Sequence, residues 1–329
     1  MQSTRSSLFV KLALPAAVSA MVASTGALAQ QAYPSKPIRF VTPYAAGGST
    51  SIVARMIGEK YTEAWGQQVL IDSRGGGNTI IGTDFVAKAP PDGYTIIYTA
   101  MTHVVIPQLL PAPYDPLRDF APVASTDNAE ELLVVHPSFP ANTLKEFIAL
   151  AKAKPGQINY ASAGSGGANH LAGEFFNELA GVKLQHIPYK GAAPAIADLL
   201  GGQVQSSFVV PINAISHVRS GKLRALAVSG NKRMSSLPNL PTFTEAGLPG
   251  YDAGFWRGIL APAGTPRAII DRLSAETARI IAMPDIREKL TSQGLDPYFN
   301  GPEAFSDMMR ADAAKYGKII KAANIRIDR

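Results

Sequence analysis

The chain has 329 residues, 46% of them hydrophobic and 17% charged, with 31 Lys and Arg against 25 Asp and Glu. It contains no cysteine, which excludes disulfides, a cysteine nucleophile and thiolate metal sites; the charged fraction is too low for disorder, and the length suits two domains of roughly 150 residues. The formal charge of +6 comes from Lys and Arg scattered singly, with no basic run or aromatic-interleaved basic stripe, so a nucleic-acid partner is not expected and the excess suits small anions.

Arg5 and Lys11 precede an apolar stretch, Leu12 to Leu28, that ends in the small-x-small triplet Ala27-Leu28-Ala29. Pro15, Ser19, Ser24 and Thr25 interrupt it, so residues 1–29 read as a cleaved secretory signal rather than a membrane anchor. No other apolar run of about 18 residues follows, and the mature chain is expected to be soluble and exported.

Ile38 to Thr42 reads as a strand, followed by a Gly-rich loop, a helix from about Thr50 to Trp65 and a strand over Gln68 to Asp72. A third strand is expected at Tyr94 to Thr99 after the turn Pro90-Pro91-Asp92-Gly93, and a fourth at Glu131 to Val135. This alternation predicts an α/β unit with a mostly parallel sheet. A second series begins at Pro137: a helix over Leu144 to Lys154, a strand over Ile158 to Ser162, a small-residue loop and a helix over Ala168 to Leu179. Strands at Leu184 to Ile187, Val204 to Val210 and Leu223 to Ser229, with helices Ala192 to Leu200 and Asn213 to Ser220, complete a second α/β lobe. After the Pro/Gly-rich stretch Leu237 to Gly250, Gly258 to Ala261 reads as a strand, Pro266 to Ala282 as a helix, and the tail as helical, notably Pro302 to Ala323.

Each lobe therefore carries one strand, small-residue loop, helix unit. The first loop is Thr42-Pro43-Tyr44-Ala45-Ala46-Gly47-Gly48-Ser49-Thr50-Ser51 and the second is Ser162-Ala163-Gly164-Ser165-Gly166-Gly167-Ala168-Asn169. Small residues let backbone N–H groups approach a ligand while the following helix turns its positive end to the same place, and two such ends facing one another across a cleft suit a carboxylate. Taken singly, either loop is better explained by helix caps and turn glycines; the pairing of the two is what points to binding.

Enzyme motifs are missing from the same loops. Ala45-Ala46-Gly47-Gly48-Ser49-Thr50 is not the dinucleotide fingerprint, although Asp72 stands where a ribose-binding acid could. There is no Gly-Lys-Ser/Thr phosphate loop, and neither Ser162 nor Ser165 lies in a nucleophile elbow. The histidines, His103, His136, His170, His186 and His217, show no paired metal-ligand spacing, so neither metal nor cofactor is expected; His103 and His170 are placed to reach a cleft, although burial with a satisfied ring nitrogen is the commoner fate of such residues. The acidic pair Glu130-Glu131 reads as a solvated strand edge.

Across nearly the whole mature chain the residues resemble the periplasmic solute-binding receptors of tripartite tricarboxylate transporters, the Bug-type receptors. The likeness rests on Tyr33-Pro34-Ser35-Lys36-Pro37-Ile38-Arg39, Pro43 to Thr50, Pro91-Asp92-Gly93-Tyr94-Thr95, Tyr160 to Gly166, His170-Leu171-Ala172-Gly173-Glu174 and Pro188-Tyr189-Lys190-Gly191. It extends through Leu199 to Val204, Gly221 to Ala227 and Leu260 to Pro266. The resemblance implies a two-lobed type II periplasmic-binding-protein (Venus-flytrap) fold: residues 30–130 in lobe one, 131–252 in lobe two, and 253–329 returning to lobe one. It implies a monomeric periplasmic receptor, not an enzyme, that hands a small carboxylate to the membrane subunits of such a transporter. Its ligand site would comprise Tyr44, Ala45, Ala46, Gly47, Gly48 and Ser49 in the first loop and Ser162, Ser165, Gly166, Ala168 and Asn169 in the second. Thr102 and His103, which match a Thr-His pair of many relatives, and Val209 would complete it.

Several departures from the family pattern fall where ligand choice is expected to be decided. Ser51 replaces a usual Asp, Val209-Val210 a common Asp-Asn, and Ala100, Met101 and Ile106 stand where relatives often carry Asn, Gly and Asn. Fewer carboxylates and more apolar surface, worth about 25 cal/mol per Å² buried, favour an aromatic carboxylate, in particular a terephthalate-type dicarboxylate. The alternatives are an aliphatic di- or tricarboxylate, a sensory rather than transport partner, and an α/β enzyme acting on a carboxylate.

Overall fold

The computed structural model describes residues 33–230, 232–322 and 325–327. The export signal expected over residues 1–29 lies outside them.

The first α/β series runs β1 (Ile38–Thr42), α1 (Ser49–Trp65), β2 (Val69–Ser73), a 3-10 turn (Gly77–Thr79), α2 (Ile80–Ala87), β3 (Thr95–Ala100), α3 (Thr102–Leu109) and β4 (Phe120–Ala129). The second runs β5 (Leu132–Val135), α4 (Leu144–Ala153), β6 (Asn159–Ser162), α5 (Ala168–Ala180), β7 (Gln185–Pro188), α6 (Ala192–Leu200), β8 (Ser206–Val209), α7 (Pro211–Arg219) and β9 (Arg224–Val228). The chain then returns through β10 (Phe255–Pro262), α8 (Arg267–Ala282), α9 (Pro284–Ser292), β11 (Leu295–Pro297) and α10 (Pro302–Ala322).

These strands form two sheets, in the orders β11-β4-β10-β3-β1-β2 and β7-β6-β8-β5-β9, and hence two lobes. Neither sheet is mostly parallel. In the first, β1 runs parallel to β2 and β3, but β10 is antiparallel to both β3 and β4, and β11 is antiparallel to β4. In the second, β6 is parallel to β7 and β8 while β5 is antiparallel to β8 and β9. The strands that run against the βαβ direction are β10 and β11 in the first sheet and β5 in the second; β5 and β10 are each the first strand laid down after the chain crosses between sheets.

Local chemistry explains most of the elements. In α1, Val53, Ala54, Ile57 and Tyr61 form one buried face, and the helix stops at Gly66, whose φ of 65° lets its N–H reach Thr62 O at 2.9 Å. In α4, the Thr143 side chain caps the Glu146 N–H while the Glu146 carboxylate reaches back to the Asn142 N–H. Lobe one packs Phe40, Tyr61 and Tyr98 under its sheet, and lobe two is centred on Phe147, Phe176, Phe208, Phe243 and Tyr251. Among the described residues no helix is long and apolar enough to cross a membrane.

Candidate functional site

The two small-residue loops have nearly the same backbone. Gly47, at φ 86°, precedes the N-cap Gly48, and Gly166, at φ 77°, precedes the N-cap Gly167. The N-caps share φ −72° with ψ of 163° and 165°, and each donates back into its turn, Gly48 N–H to Ala45 O and Gly167 N–H to Gly164 O. Unlike α4, neither α1 nor α5 has a side-chain cap. The first bonds within these helices are made by the N–H groups of Ile52 and Leu171. The N–H groups of Ser49 to Ser51 and Ala168 to His170 are therefore the donors that a helix end leaves over, backed by the positive pole of its dipole.

Helix α3 joins the two loops. The Thr102 hydroxyl is 2.6 Å from the Tyr44 hydroxyl of the first loop, and Ile106, one turn further along the same face, lies against Gly166 of the second, where a Cβ would stand 3.1 Å from Ile106 Cδ1. The N-terminal end of α3 is tied to lobe one by the Met101 N–H on Trp256 O at 3.2 Å. Burial raises the Tyr44 phenol above its usual range, so it is a neutral donor or acceptor. The first loop is further backed by Gly75, where a Cβ would be 3.0 Å from Ala45 N, and by the Ser51 hydroxyl on Ala45 O at 3.2 Å.

The second loop is shaped by a histidine pair. His170 and His186 stack at 3.8 Å; His170 Nδ1 accepts the Gly166 N–H at 2.9 Å, and His186 Nε2 is 2.6 Å from Ser162 Oγ. Burial pushes His170 down to about 4 and His186 to about 3, so both rings are neutral near pH 7 and act as fixed supports. His186 carries no motif signal in the sequence; only the parallel pairing of β6 with β7 brings it beneath the loop.

The expected site residues thus divide. Ala45, Ala46, Gly47 and Gly48 are exposed, and Ser49, Ser165 and Ala168 are half-buried around the uncapped helix ends. Ser162 is buried and committed to His186 and Gly164, and the Asn169 amide to Glu131. His103 does not face the loops: it is enclosed in lobe one, edge-on to Phe120 at 4.6 Å, with Nε2 on Pro116 O at 2.9 Å. Val209 ends β8 inside the core of lobe two beside Leu132 and Val228, so it fills core rather than lining a ligand surface.

A further correction concerns the acidic pair. Glu131 is fully buried and Glu130 largely so; neither is a solvated strand edge. Burial raises Glu130 to about 7 and Glu131 to about 8, opposed by the Ser229 and Asn169 hydrogen bonds respectively. Because the folded carboxyls hold protons more tightly than unfolded ones, their contribution to stability is complete only below pH 4.5, declines above it, and is lost once pH has risen through about 7 and 8. Unfolding in urea at pH 6 and pH 8.5 is expected to show lower stability at the higher pH, at about 1.4 kcal/mol per pH unit for each proton involved, with the slope reduced in Glu131→Gln.

The model of the tripartite tricarboxylate transporter family receptor matches residues 53–325. The chain belongs to that family. Its members are periplasmic binding proteins, receptors rather than enzymes. A curated relative, the UPF0065 protein of the tcbD-tcbE intergenic region of a Pseudomonas species, is 37% identical over 306 residues, covering 92% of this chain and 91% of its own. An R. palustris structure solved with adipate superposes with a TM-score of 0.84 at 33% identity, covering 89% of this chain and 99% of the other. MatC from Rhodopseudomonas palustris with bound malate gives 0.80 at 30% identity, covering 88% and 100%.

Proposed function

We propose that this receptor captures a small dicarboxylate between its two lobes and delivers it, as a monomer, to the membrane subunits of a tripartite transporter. The observation that carries the reading is the convergence of two uncapped helix ends, one from each sheet, on one face of α3. A carboxylate bridging them would be held by main-chain N–H groups without a paired cation, and contact with both lobes gives the closed form the differential affinity that closure requires. The relatives solved with adipate and malate support the class.

Within that class the reading favours a diacid with an apolar body, of the terephthalate type. The support is Ile106, which brings apolar surface directly to the second loop; Ala100, Met101 and Val210 are buried like Val209 and add apolar packing behind it. Aliphatic diacids are the competing ligands, favoured by what the two R. palustris proteins hold. Calorimetric titration with terephthalate, adipate, malate and benzoate separates them. Tightest binding is expected for terephthalate, with benzoate much weaker for want of a second carboxylate; tighter malate than terephthalate binding would refute the apolar-body reading, and silence from all four would refute carboxylate capture.

A further inference from the structure

The chain passes between its sheets at Ala129–Leu132 and again between Val228 and Phe255, and both passages meet at the adjacent carboxylates Glu130 and Glu131. Asn169, in the first turn of α5, places its Nδ2 3.0 Å from each oxygen of the buried Glu131 carboxylate. Ser229 Oγ donates to Glu130 at 2.6 Å and accepts the Glu131 N–H at 2.8 Å. The Glu130 carboxylate also lies against Gly230 and Gly254, where a Cβ would stand 2.7 and 2.9 Å from it, so the returning passage is built around this group. One hydrogen-bonded cluster therefore joins the first turn of a ligand-binding helix to both passages between the lobes.

The charges facing this cluster are mostly negative. Glu131 faces Glu130, Tyr251 and Tyr316, whereas Glu130 faces Asp252 and Asp296, with Lys232 as its opposing cation. An ionised Glu131 and an anionic ligand would share the end of α5 across one asparagine, in apolar surroundings where like charges repel strongly. We infer that Glu131 is a positioning residue for the second loop, acting through Asn169, and that capture of a carboxylate ligand draws a proton onto the Glu130–Glu131 pair. The inference rests on the carboxylate-receptor reading above. The raised carboxyls leave protons to gain at and just above neutral pH, so affinity falls as pH rises from 7 to 9.

The test is calorimetric titration of the full mature receptor with adipate and with terephthalate at pH 8, in phosphate and in Tris, whose ionisation heats differ widely. The binding heat is expected to differ between buffers by an amount equal to uptake of roughly half a proton or more per ligand. In Glu131→Gln, with its fold checked by circular dichroism, this uptake is expected to fall at least twofold and the pH dependence of affinity to flatten; Glu130→Gln, which keeps the Asn169 contact, should also lower the uptake. Equal heats in the two buffers overturn the inference alone, as does a folded Glu131→Gln that binds more weakly at every pH with an unchanged proton count. No binding of either acid by wild type overturns the carboxylate reading and this inference with it.

Discussion

Gly166→Ala is expected to weaken ligand binding by about 100-fold, equivalent to about 2.7 kcal/mol, while the protein stays folded. Two effects add. Gly166 has φ 77°, a conformation that costs a residue with a Cβ about 1–2 kcal/mol, and the new methyl would collide with the Ile327 side chain and press on Ile106 Cδ1. The tip of Ile327 can swing aside, but Ile106 is held on α3, so the loop is expected to shift away from α3 and to draw the α5 N–H groups out of register with those of α1. Gly47 supplies the control. Its φ is 86°, but no atom of the described residues lies within 4 Å of an added Cβ, so Gly47→Ala carries only the conformational cost and should lose about tenfold in affinity. Calorimetric titration of the two variants beside wild type checks the order; equal losses would show that the α3 contact is not what positions the second loop.

Asp127→Ala is expected to lower stability by about 3–5 kcal/mol in urea unfolding. Asp127 and Arg257 are both fully enclosed, with Arg257 Nε and Nη2 at 2.8 and 2.5 Å from Asp127 Oδ1. Tyr98 and Thr126 each donate to Oδ2 at 2.9 Å. Removing the carboxylate leaves the buried guanidinium without its counter-charge, and Arg257 Nη1 already has no hydrogen-bond partner among the described residues. The double variant Asp127→Leu with Arg257→Met, which removes both charges, should recover most of the loss. The pair lies close enough to the first loop for the Arg257 charge to act on Tyr44, and Arg257 pairs across the sheet with Ala100 at the end of β3, the strand that leads into α3.

The same cluster shows why part of the fold is hidden from sequence reading. β4 spells Phe-Ala-Pro-Val-Ala-Ser-Thr-Asp-Asn-Ala, with a proline and a polar run where a strand pattern needs alternation, yet it lies between β10 and β11 with Ser125, Thr126 and Asp127 fully buried. Those residues are tolerated inside because partners remote in sequence satisfy them: Tyr98 and Arg257 serve Thr126 and Asp127, and Tyr298 and Asn300 serve Ser125. Helix α3 is concealed differently: Thr-His-Val-Val-Ile-Pro is β-branched with an internal proline, and tertiary contacts through Thr102, Ile106 and Gln108 override its local preference. α2 and α9 are short, and β11 has three residues, too few for periodicity to register.

The two loops were legible because glycine at positive φ and small residues at a helix start have a direct conformational reason. Side chains that brace them were not. His186 reaches Ser162 only through sheet pairing, and nothing in Glu130-Glu131 as letters distinguishes a solvated pair from one enclosed between two chain passages. The tight turn at Asn78 and Thr79, where both residues take positive φ beside the glycines that back the first loop, is likewise a product of packing.

The central claim is that main-chain N–H groups at two helix ends hold the ligand carboxylates. Amide proton and nitrogen shifts followed by NMR during titration with a bound diacid test it most directly. The account predicts that the largest hydrogen-bond-type downfield shifts fall on Ser49 to Ser51 and on Ala168 to His170 together; large shifts confined to one of these turns, or lying away from both, would contradict it.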